Sequence, residues 1–214
     1  MKERVFRKIM GILIMMIPGA LFAEETVGVS AINSGDTAWV LISAALVLMM
    51  TVPALAMFYA GMVRRKNVLS TLYYSLGSAI VVSILWVLFQ YSLTFGGKEL
   101  IPGVIGGLDK AFLENIGINS IYPTMPTVPE FAFSAFQFTF AAITVALISG
   151  AVVERMNFKA WMIFSVLWST FVYSPIAHMV WNPNGILAKM GVLDYAGGYV
   201  VEIASGVSAI TAAL

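Results

Sequence analysis

The sequence predicts an all-α, polytopic membrane protein, because of its composition and the length of its apolar stretches. Of its 214 residues, 60% are hydrophobic and only 11% are charged, and the mean hydropathy is +0.90. Soluble domains typically have about 45–50% apolar and about 25% charged residues, so this chain has too few charges to cover a solvated surface. Five apolar windows of roughly 20 residues or more are each long enough to cross ~30 Å of hydrocarbon. They are residues 38–63, 69–95, 131–153, 161–180 and 195–214.

Composition also excludes several functional classes. The formal net charge of +1 argues against a nucleic-acid-binding protein, which needs a basic stripe. The absence of cysteine removes disulfide frameworks, thiolate metal sites and cysteine nucleophiles. A single histidine leaves no convincing nucleophile–base pair for an intramembrane enzyme. We therefore expect a protein that is not an enzyme and that holds neither a metal nor a cofactor.

Residues 1–23 have the layout of a cleavable signal peptide. Four basic residues within positions 2–8 precede an apolar run that starts at Ile9, and small residues end the run just before Glu24. The run is too short for a spanning helix, and this arrangement is typical of a signal peptide cleaved near Ala23. An uncleaved first helix is the alternative. In either case the residues near Glu24 start on the outside.

Two short basic segments orient the apolar windows. Residues 64–66 lie between the first and second windows, and residues 155–159 lie between the third and fourth. The positive-inside rule places both on the cytoplasmic side, and the two placements agree because two crossings separate them. This orientation puts the mature N-terminus and the 96–130 link outside a multi-pass protein of the plasma (inner) membrane. At the cytoplasmic end, the adjacent Glu154 and Arg155 predict a local ion pair.

The fifth window contains one carboxylate, which the membrane makes costly, and a second carboxylate lies directly before the window. Asp194 precedes the window and predicts a cap for the helix N-terminus, where a negative charge also suits the helix dipole. Glu202 lies eight residues further on, which corresponds to ~12 Å along a helix and a depth near the bilayer midplane. An ionisable group at that depth is a functional candidate by default. Glu202 either makes a structural hydrogen bond to a neighbouring helix or lines a conduction path.

Aromatic residues converge at the predicted outer end of the windows. Phe136 and Phe140 are spaced i, i+4 and share a helix face, and Trp181 ends the fourth window. Each of these residues alone is typical of packing or of an interfacial aromatic belt. Together with Asp194 they form a set that suits a small cation, because aromatic faces attract cations and tryptophan does so best. His178, one turn before Trp181, is expected to be an ordinary interfacial histidine.

Four ordered sequence blocks resemble the ammonium transporter (Amt/Mep/Rh) family, and together they span residues 34–214. The blocks are PALAMFYAGMVRRKNVLS at 53–70, FTFAAITVALISGAVVERMNF at 138–158, SPIAHMVWNPNG at 174–185 and LDYAGGYVVEIASG at 193–206. Four blocks in family order are far more specific than one short motif. The resemblance implies a homotrimer of helical subunits, each with about eleven helices in two inverted halves. The chain stops at Leu214 directly after its fifth window, so we expect residues 34–214 to be the N-terminal half, with about five helices.

Site residues follow from the resemblance. Trp181 and Phe140 would form the outer site that recruits ammonium, and methylammonium as a second substrate. Phe136 would pair with Phe140 in a gate over the pore, and Asp194 would stabilise the site electrostatically. The other partners that the resemblance implies are the lipid bilayer and a cytoplasmic regulatory protein.

Glu202 departs from the pattern of most family members. Most have at this position the first of two histidines that line the pore, whereas some members, notably fungal ones, resemble this chain in having an acidic residue. The twin-histidine pathway therefore does not transfer intact, and Glu202 becomes the candidate for the pore and proton pathway.

The mechanism that the resemblance implies separates ammonia from its proton. Ammonium is recruited at the outer site and deprotonated, and ammonia then passes a narrow apolar pore that refuses a bare ion because desolvation is costly. The proton travels separately along polar groups. A second hypothesis is an ammonium sensor or receptor that uses the same fold.

Overall fold

The computed structural model describes residues 32–214 and consists mainly of apolar helices. Four are long and apolar enough to cross a membrane: α1 (Ser34–Ala60), α2 (Arg65–Phe95), α3 (Glu130–Val152) and α4 (Phe158–Lys189). A shorter apolar helix, α5 (Gly198–Ala213), follows them. The predicted class, a polytopic helical membrane bundle, is confirmed. The signal peptide expected at residues 1–23 lies outside the described residues.

Asparagine side chains start two of the helices. The Oδ1 atom of Asn33 accepts hydrogen bonds from the backbone N–H groups of Gly35 at 2.8 Å and Asp36 at 3.1 Å. The Oδ1 atom of Asn157 accepts one from Ala160 at 2.8 Å and so caps α4. Such caps satisfy N–H groups that have no partner inside the helix.

Wide, π-helical turns interrupt α1, α2 and α4 and open α5. They are Met50–Leu55, Trp86–Gln90, Ser169–Tyr173 and Gly198–Ile203. In α1 the wide turn contains Pro53, which has no N–H to donate and would clash in a regular helix interior. The chain of α4 also breaks after Trp181, where Asn182 is extended, before a last turn at Ile186–Lys189.

The helix α3 is the centre of the bundle and packs against α1, α2 and α5. Small and β-branched residues on α3 are fully buried, among them Ala142, Val145 and Ala146. Gly150 allows an especially close approach, because a Cβ atom there would lie 2.6 Å from the ring of Tyr59 on α1. The hydroxyl of Tyr59 donates a 2.8 Å hydrogen bond to the carbonyl of Leu147. Large apolar side chains on the opposite faces of α1 and α2 are exposed, as expected for lipid-facing surfaces.

The link between α2 and α3 is an ordered structure with two short antiparallel hairpins. Strand β1 (Glu99–Ile101) pairs with β2 (Ile105–Gly106), and β3 (Ile121–Tyr122) pairs with β4 (Met125–Pro129). A short 3₁₀ turn, Ala111–Leu113, lies between the hairpins. The link is fastened to α3 by Lys110, whose ammonium group pairs with the buried carboxylate of Glu130.

The two basic segments meet at one end of the bundle. The Oε1 atom of Glu154 accepts hydrogen bonds from Arg64 N at 3.0 Å and Asn67 Nδ2 at 2.6 Å. The hydrogen bond from Asn67, and then that from Arg64, lower the pKa of Glu154 below its ordinary value. The predicted local pair of Glu154 with Arg155 is wrong. Arg155 instead donates to the carbonyl of Ala213 at 3.0 Å, since α5 ends beside it.

Candidate functional site

The four residues expected to form an outer cation site line one cavity of about 440 Å³. Phe136 and Phe140 come from α3, Trp181 from the end of the main part of α4, and Asp194 from the segment that precedes α5. Residues up to 58 positions apart in the sequence are thus brought together. Other lining residues include Met125, Phe133, Gln137, Val180, Tyr195 and Gly197.

The aromatic rings meet edge to face. The ring centroids of Phe136 and Phe140 are 4.8 Å apart with planes at 86°, because one helical turn separates the two residues. The centroids of Phe140 and Trp181 are 5.8 Å apart with planes at 70°. Edge-to-face contact is the favoured geometry of aromatic pairs. The three rings are half-buried around the cavity.

Phe140 lies further along α3 than the outer end at which it was expected. The helix α3 begins at Glu130, so Phe140 lies ten residues, or ~15 Å, along it. A helix of 23 residues is about 34 Å long, and Phe140 is therefore near its middle. Thr124 and Met125 of the β3–β4 hairpin also line the cavity, which the hydropathy pattern does not reveal.

Asp194 caps α5 from a distance. Its Oδ2 atom accepts a 3.3 Å hydrogen bond from the N–H of Val200, in the first turn of the helix. The helix itself begins at Gly198, after Gly197 with φ of 81°, a left-handed conformation that glycine adopts without a steric penalty. The capping role expected of Asp194 is present, but the residue stands four positions before the helix.

Glu202 lies closer to the start of α5 than expected. The estimate of ~12 Å below Asp194 is wrong because residues 194–197 are not helical. Glu202 is four residues into α5, which is ~6 Å of helix. Directly before α5, a Cβ atom on Gly197 would lie 3.9 Å from the ring of Trp181. A Cβ atom on Gly198 would lie 3.6 Å from Asp194 Oδ1 and 3.9 Å from Glu202 Oε2, so the two carboxylates flank this glycine. Glu202 is exposed and is outside the lining of the cavity.

The histidine next to the site is not the ordinary interfacial residue that was expected. His178 is completely buried. Its Nδ1 atom lies 2.9 Å from the carbonyl oxygen of Thr94, and its Nε2 atom lies 3.0 Å from Oε1 of Glu99. These partners lie 84 and 79 residues away in the sequence, so residue spacing carries no signal for them. The hydrogen bond from His178, followed by that from Gly103 N–H, lowers the pKa of Glu99.

Gln137 is a second residue that the sequence interpretation did not single out. It lines the cavity, and its buried Oε1 atom has no hydrogen-bond partner within the described part of the chain. Its position between Phe136 and Phe140 on α3 was a usable signal, because a residue three positions before Phe140 lies near the same helix face.

A sequence profile described as the Ammonium Transporter Family matches residues 38–214. The chain belongs to the ammonium transporter family. The resemblance of the four sequence blocks is thereby confirmed. Curated relatives are named as ammonium transporters, which places the chain in a transport family and not among enzymes.

Relatives match nearly all of the chain but less than half of their own length. A putative ammonium transporter of Methanothermobacter thermautotrophicus is 54% identical over 184 residues, which are 86% of this chain and 44% of that protein. The ammonium transporter of Bacillus subtilis is 48% identical over 182 residues, 84% of this chain and 43% of that protein. Among solved structures, Mep2 of Saccharomyces cerevisiae has a TM-score of 0.75 at 33% identity, covering 85% of this chain and 39% of that chain.

Proposed function

We propose that this ammonium transporter chain contributes the outer recruitment site and part of the pore of a protein that moves ammonium, as ammonia and a proton, across the plasma membrane. The observation that carries the proposal is the convergence of Phe136, Phe140, Trp181 and Asp194 on one cavity of about 440 Å³. The substrate is inferred from the relatives, which are named as ammonium transporters. The aromatic rings and the carboxylate that line the cavity suit a small cation of this kind.

The cavity suits a small cation for two physical reasons. Aromatic π-faces attract cations within about 6 Å of the ring centroid, with tryptophan the strongest. The carboxylate of Asp194, which lines the cavity, adds a negative charge that stabilises the cation electrostatically. We infer that Trp181 and Phe140 contact ammonium and that Phe136 forms the gate with Phe140.

Glu202 extends the proposal toward the proton pathway. It follows the aromatic site by about one turn of α5 and is exposed on this half of the bundle. A carboxylate at this point can accept the proton that ammonium loses before ammonia enters an apolar pore. Neutral ammonia crosses such a pore more easily than an ion, because burial of an unpaired charge is very costly.

The arrangement of the whole protein is also a proposal. We infer that residues 34–214 form the N-terminal half of a two-half subunit, that the subunit assembles into a homotrimer, and that residues 1–23 direct it to the membrane. The basic end of the bundle, around Glu154, would face the cytoplasm, where a regulatory protein could bind. The aromatic cavity would then open toward the outside.

A transient-current measurement tests the proposed transport. The complete protein is reconstituted in liposomes and exposed to rapid pulses of ammonium, with methylammonium and potassium as comparison ions. A saturable current with ammonium, and little with potassium, is expected. Ammonium binding without any current would contradict electrogenic transport and favour the receptor hypothesis.

A further inference from the structure

His178 is buried between two hydrogen-bond acceptors, and this decides how many protons its ring carries. A backbone carbonyl oxygen can only accept, so Nδ1 must donate to Thr94 at 2.9 Å. An ionised carboxylate also only accepts, so Nε2 must donate to Glu99 at 3.0 Å. A neutral imidazole has a single N–H and would direct a lone pair at one of these oxygens.

Glu99 is held in the ionised form that this arrangement needs. Its Oε1 atom also accepts a 2.8 Å hydrogen bond from the backbone N–H of Gly103, which favours the carboxylate. The pKa of Glu99 lies below its ordinary value because of His178 first and Gly103 second, with the positive charge of Lys189 adding to the effect. Glu99 on β1 and Lys189 in the last turn of α4 are the charged groups acting on the pair, whereas α2 supplies neutral carbonyl groups.

The same cluster fastens the turn of α4 that carries Trp181. Asn182, the next residue, donates from Nδ2 to the carbonyl groups of Thr94 at 3.1 Å and Gly96 at 3.2 Å. His178 and Asn182 therefore bracket Trp181 and bind the same carbonyl group at the end of α2. Both side chains are almost fully buried, so water cannot replace these contacts without opening the structure.

We propose that His178 is a doubly protonated imidazolium that clamps the end of α4 to α2 and the β1–β2 hairpin, and thereby positions Trp181 against Phe140. His178 is a positioning residue, since it does not line the cavity. A buried charge is tolerated here because it is paired and both of its N–H groups are hydrogen-bonded. The charge state of His178 does not depend on the proposed transport. Only the consequence for ammonium binding rests on the proposed function.

Nitrogen NMR tests the charge directly. The complete protein, labelled with ¹⁵N-histidine and held in lipid nanodiscs at pH 7, is compared with His178→Gln, so that the difference spectrum isolates one ring. Both ring nitrogens are expected to carry a proton. In Glu99→Gln the side-chain amide can donate to Nε2, so we expect a neutral ring protonated on Nδ1 only. A wild-type ring with one unprotonated nitrogen would overturn the clamp.

The positioning of Trp181 has its own readout. The indole N–H resonance of Trp181, assigned with Trp181→Phe, is expected to shift in His178→Gln and to stay in place in Lys189→Gln. Lys189 is an exposed cation that acts on Glu99 through space, and it is therefore a matched control. If His178→Gln does not fold, Glu99→Ala provides the test, because it removes the carboxylate acceptor but leaves the ring. An unmoved Trp181 resonance in folded His178→Gln or Glu99→Ala protein would exclude the positioning role.

Transport kinetics then separate this inference from the proposed function. His178→Gln is expected to raise the half-saturating methylammonium concentration about threefold to tenfold, within the range of a weakened cation–π contact, with the maximal rate retained. An imidazolium signal without any ammonium or methylammonium transport would leave the clamp intact and refute the function. A neutral His178 ring in a protein with normal transport would refute the clamp and leave the proposed function intact.

Discussion

Side chains around the aromatic cavity contribute to cation binding in different ways. The ring centroids of Phe140 and Trp181 are 5.8 Å apart, and both rings present π-systems. Asp194 adds a negative charge, and its Oδ2 atom accepts a hydrogen bond from Val200 in the first turn of α5. The ring centroids of Phe136 and Phe140 are 4.8 Å apart, so Phe136 is placed to hold the Phe140 ring or to move with it. Because these contributions differ, substitutions at these positions should have distinguishable effects.

Trp181→Leu tests the aromatic contribution. We expect the ammonium concentration for half-maximal current to rise about twofold to thirtyfold, since a cation–π contact is worth about 0.5–2 kcal/mol. The matched control is Trp39→Leu, because Trp39 is 73% exposed on α1 and away from the cavity. Equal increases in the two variants would show that loss of any tryptophan, and not of this cation contact, explains the change.

Glu202→Gln tests the proton pathway. The amide keeps the size of the side chain but cannot accept and release a proton in the same way, so the proton-coupled current should fall more than ammonium binding. Currents are measured at several pH values, and binding is followed separately. Equal currents for the variant and the wild-type protein across the pH series would remove Glu202 from the pathway.

At the scale of helices, α3 determines how closely its neighbours approach. Its buried face consists largely of small residues, and at Gly150 the ring of Tyr59 occupies the space where a side chain would begin. Tyr59 is also tied to α3 by its hydrogen bond to Leu147, so its ring has little freedom to move aside. The α1–α3 distance therefore depends on a glycine at this position.

Gly150→Ala is expected to destabilise the bundle. A Cβ atom 2.6 Å from the Tyr59 ring must displace it, and overpacking of this kind typically costs about 1–3 kcal/mol. The control is Gly206→Ala on α5, where a Cβ atom would meet no heavy atom within 4 Å. Thermal unfolding in detergent should show a lower Tm for the first variant only. An unchanged Tm in Gly150→Ala would mean that α1 can shift freely.

At the scale of the whole molecule, carboxylates fasten the chain at both ends of the bundle. Glu99 joins the β1–β2 hairpin to α4 through His178, and Glu154 joins the start of α2 to the end of α3 through Arg64 and Asn67. In both cases hydrogen bonds to the ionised carboxylate hold the pKa below its ordinary value. The stability of the fold therefore depends on pH in the acidic range, where these carboxylates become protonated.

Acid should destabilise the protein through these two groups. A carboxyl group with a lowered folded-state pKa stabilises the fold above its unfolded pKa of about 4.3, and the contribution is lost as the pH falls through the folded value. We expect the Tm to decrease as the pH falls below about 4.3. In the double variant Glu99→Gln/Glu154→Gln the decrease should be shallower. The same acid slope in both proteins would show that other groups dominate.

Local patterns in the chain were sufficient for the class, for the four long spans and for placing the two basic segments at the same end of the bundle. Hydropathy and charge act locally, since a run of apolar residues needs a helix of known length to cross a bilayer. The spacing of Phe136 and Phe140 likewise determines that they share a face. Their junction with Trp181 and Asp194 was predicted from the order of the spans, and the structure brings all four to one cavity.

Tertiary structure alone decided the partners of the polar residues. His178 is buried against Thr94 and Glu99, and Glu154 binds Arg64 and Asn67 instead of its neighbour Arg155. Each of these contacts joins residues 79 to 90 positions apart, and a buried polar group binds whichever distant partner the packing of the helices brings within reach. The position of Phe140 near the middle of α3 was decided in the same way, because it depends on where that helix begins and not on its apolar content.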